Sequence, residues 1–255
     1  MLTSIWAWLT DPASWSGRDG IPTRLVEHLL YSVVALVLAA AVALPLGAWI
    51  GHSGRARWLV TAANAARAVP SLGLLFVVAM LAGPRIRGDF AYVVPSLVVL
   101  VLLAVPPLLA GAESGVRAVD PAARDAAYGM GMRAREVLLG VELPCALPLL
   151  LSGVRAATLQ VIATATIAAS VSLGGLGRYL IDGLAVSDYA QMAGGALLVA
   201  ALALAVDGLL ALVTRYAVSP GLGGISGKRG GRSGVARRMP AAPTVGRLSH
   251  GSEPS

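Results

Sequence analysis

The chain alternates long apolar stretches with short polar ones, and this pattern predicts helices that cross a membrane. A helix of about 20 apolar residues spans the roughly 30 Å of hydrocarbon in a bilayer. Helices are favoured because lipid cannot satisfy the backbone hydrogen-bonding groups. We therefore expect an all-α, polytopic membrane bundle with about five core transmembrane helices. The predicted spans cover about 29–50, 58–82, 91–112, 147–171 and 192–213.

The two ends of the chain differ from this apolar region. Residues 1–27 carry three tryptophans among polar residues, Gly and Pro, a pattern typical of a helix that lies in the membrane interface. Residues 216–255 are dominated by Gly, Ser, Pro and basic side chains, which predicts a disordered basic tail on the cytoplasmic side. The transmembrane domain is predicted to occupy residues 28–215.

Composition excludes an ordinary soluble domain. Hydrophobic residues make up 56% of the chain and charged residues only 13%, and the mean hydropathy is +0.75. The net charge of +7 does not predict nucleic acid as a partner, because the basic residues flank apolar spans or lie in the tail. The single cysteine, Cys145, excludes a disulfide within one chain, and we expect it to be buried as a small apolar residue.

Several polar residues lie inside the predicted spans, where lipid offers them no partners. Such groups must pair, snorkel to the membrane surface, or face a wet interior. For Arg67, a snorkelling or structural role and a pathway-lining role both stay open. Asp207, near the end of the last span, is expected near the headgroups or paired within the bundle. The candidate pathway-lining residues are Asn64, Arg67, Ser71, Arg155, Gln160 and Thr164.

The longest polar segment between apolar spans is predicted to form a helix, a glycine corner and a second short helix. Asp120 followed by Pro121 is a favourable helix start, because the carboxylate accepts a free N–H and the proline lacks one. Gly131 offers a backbone that can turn with positive φ, and a second helical run follows over 133–139. Composition alone favours a solvated loop between two spans.

The distribution of basic residues predicts the topology. With the N-terminus outside, five spans place Arg55, Arg57, Arg117, Arg124, Arg133, Arg135 and the basic residues from Arg215 to Arg247 on the cytoplasmic side. The other side keeps Arg18, Arg24, Arg85, Arg87 and Arg178. Because cytoplasmic loops carry the excess of positive charge, we expect the N-terminus outside and the C-terminus in the cytoplasm of a multi-pass plasma-membrane protein.

The polar segment also matches a known pattern. It resembles the signature loop of ABC importer permeases, written E-A-A, three residues, G, nine residues, I, x, L, P. The matching positions are Asp125, Ala126, Ala127, Gly131, Val141, Leu143 and Pro144. Asp125 replaces the glutamate and Val141 the isoleucine, and both keep the charge or apolar character. The order of spans resembles the type I, methionine-importer-like permease core.

Three further stretches resemble the osmoprotectant branch of these permeases, which serves glycine betaine, carnitine, choline or proline. They are Arg67 to Leu74, Val105 to Leu109 and Ala168 to Gly177. The resemblance leaves another solute open, such as methionine or another amino acid. A secondary carrier driven by an ion gradient is a further alternative, but it would need intramembrane carboxylates, and the spans offer only Asp207.

The resemblance implies a mechanism with no covalent chemistry in this chain, so no catalytic residue and no metal ligand is predicted. The loop at 117–144 would form the coupling helix, which sits in a groove of a separate ATPase subunit that carries ATP and Mg²⁺. Asp125, Ala126, Ala127 and Gly131 would set its shape, and Arg133, Arg135 and Glu136 are candidate polar contacts. This chain would bind no cofactor itself. The other implied partners are an extracytoplasmic solute-binding protein, an identical or sister permease, and membrane lipid.

A quaternary ammonium solute would normally require an aromatic cage. Aromatic residues make up only 5% of this chain. Tight recognition of the solute is therefore expected on the binding protein.

Overall fold

The structure is a computed structural model that describes residues 2–88, 90–171 and 173–217. Within these residues every regular element is helical, which confirms the all-α prediction. The predicted tail lies outside the described residues from position 218 onward. The α-helices are α1 (Leu2–Thr10), α2 (Ile21–Ser53), α3 (Trp58–Ala66), α4 (Ser71–Ala82), α5 (Phe90–Arg117), α6 (Pro121–Gly129), α7 (Ala134–Val137), α8 (Leu143–Ala168), α9 (Gly177–Ala185) and α10 (Tyr189–Ala217).

Four uninterrupted helical segments are long and apolar enough to cross a membrane. They are α2, α5, the continuous run at 134–171 that contains α7 and α8, and α10. The pair formed by α3 and α4 passes the same test when it is taken together, although the two helices are bent by 91°. The bundle therefore has the predicted size of about five crossings.

The second predicted span, at 58–82, consists of two helices joined at a sharp bend. α3 ends at Ala66 and α4 begins at Ser71. Pro70 explains the break, because its ring disfavours a helical backbone at the preceding Val69 and its nitrogen cannot donate a hydrogen bond. Arg67 therefore lies at a corner of the backbone.

α2 starts earlier than the predicted first span. It begins at Ile21 after Gly20, and Pro22 fits the first turn because a proline there sacrifices no hydrogen bond. α2 therefore continues across the predicted boundary between residues 27 and 28. The division of the chain into an N-terminal segment, a transmembrane domain and a tail stays a prediction. Small residues recur every fourth position along the buried face of α2 and allow close helix packing. They are Ala35, Ala39, Ala43, Gly47 and Gly51.

α2 and α5 run parallel to each other. Tyr31 of α2 and Tyr92 of α5 line one cavity near the starts of both helices. Near their other ends, Gly47 of α2 lies against the backbone of Leu109 in α5. Parallel neighbours require a return crossing between them. The bent pair of α3 and α4 provides this crossing.

α8 runs antiparallel to α2 and α5. Ala146, in its first turns, lies beside Gly115 near the end of α5. Further along α8, the carbonyl oxygen of Ile162 accepts a hydrogen bond from Nε2 of His28, near the start of α2, at 3.1 Å. Cys145, which was predicted to be buried, is exposed, because the neighbouring Ala146 occupies the face of α8 that meets α5.

The far end of the bundle is closed by α1, α9 and the start of α10. A glycine turn, in which Gly175 has a φ of +91°, precedes α9. The ring of Trp8 in α1 meets Tyr179 in α9 edge to face, with centroids 5.1 Å apart. The Tyr179 hydroxyl donates to the carbonyl oxygen of Asp19 at 2.6 Å, and burial raises the pKa of Tyr179 to about 12.

A close helix contact joins α5 and α8 at Gly111 and Gly153. A Cβ atom on Gly111 would lie only 2.7 Å from the Cα of Gly153. We expect Gly111→Val to force the helices apart and to lower stability by about 1 to 3 kcal/mol. Thermal unfolding in detergent measures this loss. The matched control is Gly208→Val in α10, where an added Cβ meets nothing within 4 Å; equal losses for both variants would contradict this packing.

Candidate functional site

The polar segment between α5 and α8 forms a hairpin of two short helices, α6 and α7. Asp120 caps α6 by accepting a hydrogen bond from the backbone N–H of Ala122 at 2.9 Å, as its sequence position predicts. Gly131 turns the chain with a φ of +86°. Glu136 then accepts a hydrogen bond from the backbone N–H of Arg133 at 2.7 Å and so fixes the start of α7. We call residues 120–142 the hairpin.

The hairpin continues into a membrane-spanning helix without a break. A π-helical turn, Leu138–Glu142, joins α7 to α8. Pro144 lies in the first turn of α8, at the start of the next membrane-spanning helix. The wider π turn accommodates a proline, which would otherwise press against the carbonyl group one turn earlier. Residues 134–171 therefore form one helical rod.

A buried carboxylate attaches the hairpin to the bundle. The side chain of Glu142 is 1% exposed and lies in the π turn. One of its oxygens, Oε2, is 2.7 Å from Nδ1 of His52 near the end of α2. The other oxygen, Oε1, is 2.8 Å from Nε of Arg124 in α6. This contact is a close ion pair, but its angles are not those of a hydrogen bond. Arg124 also donates to the carbonyl of Val116 in α5.

These contacts connect α2, α5, α6 and the rod at 134–171 through a single carboxyl group. A buried charge is costly unless it is paired, so Glu142 favours only arrangements in which His52 and Arg124 stay beside it. The hairpin is thereby attached to the ends of three spans. A force on the hairpin would be passed to those spans together.

The outer face of the hairpin is exposed and partly apolar. Within α6 only Ala127 is buried, against the bundle. Exposed large side chains include Tyr128 at 46%, Met130 at 78% and Leu139 at 52%. Apolar side chains at the polar end of a bundle indicate a surface that contacts another protein. The exposed predicted residues of this face are Asp125, Ala126, Gly131, Arg133, Arg135, Glu136 and Pro144, while Val141 and Leu143 are half-buried.

Two cavities in the bundle bring together four of the six predicted pathway residues. The larger, of about 710 Å³, is lined by Asn64 and Arg67 together with side chains of α5 and α8. The smaller, of about 300 Å³, lies at the break between α3 and α4 and is lined by Arg67, Ser71 and Gln160. Arg67 borders both cavities.

The other two predicted pathway residues lie elsewhere. Arg155 points to α10, where its Nη2 donates to both carboxylate oxygens of Asp207 at 2.8 and 2.7 Å. This pair resolves the alternatives for Asp207 in favour of pairing within the bundle. Thr164 is buried, and its hydroxyl donates to the carbonyl of Gln160 within α8. The geometry of the described chain therefore gives no support to a pathway role for Arg155 or Thr164.

Sequence reasoning missed three residues at the hairpin end of the bundle: His52, Glu113 and Glu142. Glu113 is buried in α5 and lies 3.2 Å from Arg117 Nε. An isolated carboxylate inside an apolar run was the available signal for Glu142, but its partner His52 is 90 positions away. In the described ranges, no group of three or more His, Cys, Asp or Glu side chains could hold a metal ion.

Comparison with known proteins agrees with this architecture. Residues 25–223 match the family described as "Binding-protein-dependent transport system inner membrane component". The chain is 32% identical over 201 residues to the glycine betaine/carnitine/choline transport system permease protein OpuCB of Bacillus subtilis (strain 168), covering 78% of this chain and 89% of that protein. The choline transport system permease protein OpuBB of the same organism matches with the same identity and coverage.

A solved structure shares the fold. A chain of the MetNI methionine ABC transporter, in an inward-facing conformation, superposes with a TM-score of 0.69 at 20% sequence identity. The match covers 82% of this chain and all of that chain. At this level of identity the likeness concerns the fold alone.

Removing the Glu142 carboxylate tests the attachment of the hairpin. We expect Glu142→Ala to lower the free energy of unfolding by about 3 kcal/mol or more, because Arg124 loses its counterion in a largely buried position. Thermal unfolding of the purified chain measures the effect. Glu136→Ala, on the exposed face of the hairpin, serves as the control and should cost only about 1 kcal/mol through the lost cap. A Glu142→Ala variant as stable as this control would contradict the assigned role.

Proposed function

Since the chain belongs to the family of binding-protein-dependent transport system inner membrane components, we propose that it is the permease subunit of an ABC importer for a compatible solute. The proposed solutes are glycine betaine, carnitine, choline or proline. The relatives named for glycine betaine, carnitine and choline transport support this class of solute. As a member of this family, the chain is a multi-pass inner-membrane subunit that works with a binding protein and a separate ATPase.

The observation that carries the proposal is the hairpin attached through Glu142. It offers an exposed, partly apolar face to a partner and has a buried connection to α2, α5 and α8. In this proposal the hairpin is the coupling helix and lies in a groove of the ATPase subunit. Asp125, Ala126, Ala127 and Gly131 give it shape, and Arg133 and Arg135 supply charged contacts.

We place the hairpin in the cytoplasm, because ATP is there and because the hairpin end of the bundle carries the excess of arginines. Arg55, Arg57 and Arg117 lie close to the ends of α2, α3 and α5 on this side. Three parallel spans, α2, α5 and α10, then run inward. This orientation has the N-terminus outside and the C-terminus inside.

The proposed assembly contains two permease chains, identical or related, two ATPase subunits that hold ATP and Mg²⁺, and an extracytoplasmic binding protein, all set in lipid. ATP closes the ATPase dimer, the hairpins follow, and the pathway between the permeases opens outward. Such a switch requires ATP and the loaded binding protein to bind one state more tightly than the other. This chain contributes motion and a pathway, with no bond made or broken.

The competing functions have less support. An ion-driven carrier needs an intramembrane carboxylate that can exchange ions, but Asp207 is held by Arg155 through two hydrogen-bonded oxygens. A methionine or amino-acid specificity rests on the likeness to the MetNI chain, and a fold does not define a solute.

Reconstituted transport tests the proposal. We expect proteoliposomes that contain this chain, its ATPase and the cognate binding protein to take up glycine betaine only when ATP is supplied. Excess carnitine or choline should compete, whereas excess methionine should not. Uptake that continues without ATP but collapses with an ionophore would identify a secondary carrier, and competition by methionine alone would identify a different importer.

Substitution at Gly131 tests coupling. We expect Gly131→Val to abolish ATP-driven uptake while ATP hydrolysis persists, because a β-branched residue with positive φ distorts the corner between α6 and α7. Gly54→Val is a matched control: Gly54 also has a positive φ, of +68°, and open space around it, but it lies outside the hairpin. The ratio of ATP hydrolysed to solute transported is the measurement. An unchanged ratio in Gly131→Val, or an equal change in both variants, would argue against the hairpin as the coupling element.

A further inference from the structure

Two arginines lie within the predicted spans, and their surroundings differ. Arg155 in α8 is neutralised by Asp207 in α10. Arg67, among the described residues, has no carboxylate within 4 Å, although eight ion pairs form elsewhere in that part of the chain. A lone positive charge between membrane helices is unfavourable unless something supplies a counterion. Arg67 is exposed in the described chain, so a counterion for it would come from outside those residues.

The position of Arg67 narrows the choice of partner. It follows the last residue of α3, four positions before α4 begins, and shares the smaller cavity with Leu103 and Gln160. Leu103 is the fourteenth residue of the 28-residue α5, and so it lies close to the middle of that span. The cavity is thus about half-way across the membrane, at a depth where a phosphate headgroup is about 15 Å distant.

The smaller cavity presents hydrogen-bonding groups around this charge. Ser71 carries a hydroxyl group, and the Gln160 amide carries both a donor and an acceptor. Its volume of about 300 Å³ is at the small end of ligand sites, which suits a small solute. Arg67 also borders the larger cavity, which extends to Arg57 and Arg117 at the hairpin end. A molecule moving between the two cavities would pass the guanidinium group.

We propose that Arg67, with Ser71 and Gln160, forms a transient site that binds the carboxylate of a zwitterionic solute at the middle of the bundle. This inference deepens the proposed function and rests on it. A guanidinium group pairs with a carboxylate through two parallel hydrogen bonds, and the pairing is strong away from water. The site would serve solutes with a carboxylate, such as glycine betaine or proline. Choline carries a hydroxyl group instead and would gain nothing from Arg67.

The test is direct binding of radiolabelled glycine betaine to the full permease with its ATPase subunits in nanodiscs, without the binding protein. We expect saturable binding that carnitine and proline displace and choline does not. Arg67→Gln should weaken binding about tenfold or more, because a charged pair is replaced by a neutral contact. Arg67→Lys keeps the charge, and its affinity for glycine betaine should lie between those of Arg67→Gln and the unmodified chain. Arg87→Gln, in the loop outside both cavities, should bind as the unmodified chain does.

Any of the following results would contradict the proposed binding site at Arg67. Undiminished binding in Arg67→Gln, or displacement by choline as effective as that by carnitine, would show that the carboxylate is not recognised there. A change in oligomeric state in Arg67→Gln with unchanged binding would assign Arg67 to a contact with a second permease chain. Recovery of the Arg67→Gln phenotype by changing anionic to neutral lipid would assign it to a headgroup. The reconstituted uptake assay is independent, so ATP-driven import with no binding at Arg67 would remove this site but keep the proposed function.

Discussion

The buried carboxylate of Glu142 determines how the hairpin is attached to the bundle. It lies in a π turn at the start of a span and contacts His52 on one side and Arg124 on the other. Because an unpaired charge in this position is costly, α2, the hairpin and the rod at 134–171 favour one arrangement. In the proposed mechanism, these contacts would let a push on the hairpin reach the spans as a unit.

The same rule governs the charges deeper in the bundle. Asp207 neutralises Arg155 and joins α8 to α10, so that pair contributes to structure. Arg67 lies at the break between α3 and α4, next to two cavities, with no such partner in the described chain. Pairing thus distinguishes Arg155, which joins α8 to α10, from Arg67, for which we propose a contact with the solute. The break between α3 and α4 lines the smaller cavity.

Local signals in the sequence predicted the hairpin well. Asp120 with Pro121 and the glycine at position 131 act through their own backbone, so the corner and the start of α6 follow from the residues alone. Hydropathy also identified the spans, but a windowed average cannot register the break that Pro70 introduces. The contacts of Glu142 with His52 and of Arg155 with Asp207 join residues 90 and 52 positions apart. Such pairs depend on the tertiary arrangement and are invisible to local patterns.

The stiffness of the attachment can be measured as a distance during the transport cycle. Spin labels on Arg55, after the end of α2, and on Ala123 in α6 report the separation across the Glu142 cluster, once Cys145 has been replaced. Assemblies that carry a single labelled chain avoid distances between subunits. Pulsed electron resonance should give the same distance distribution without nucleotide and with bound ATP. A distribution that shifts or broadens on ATP binding would mean that the hairpin moves independently of α2, and it would contradict rigid transmission through Glu142.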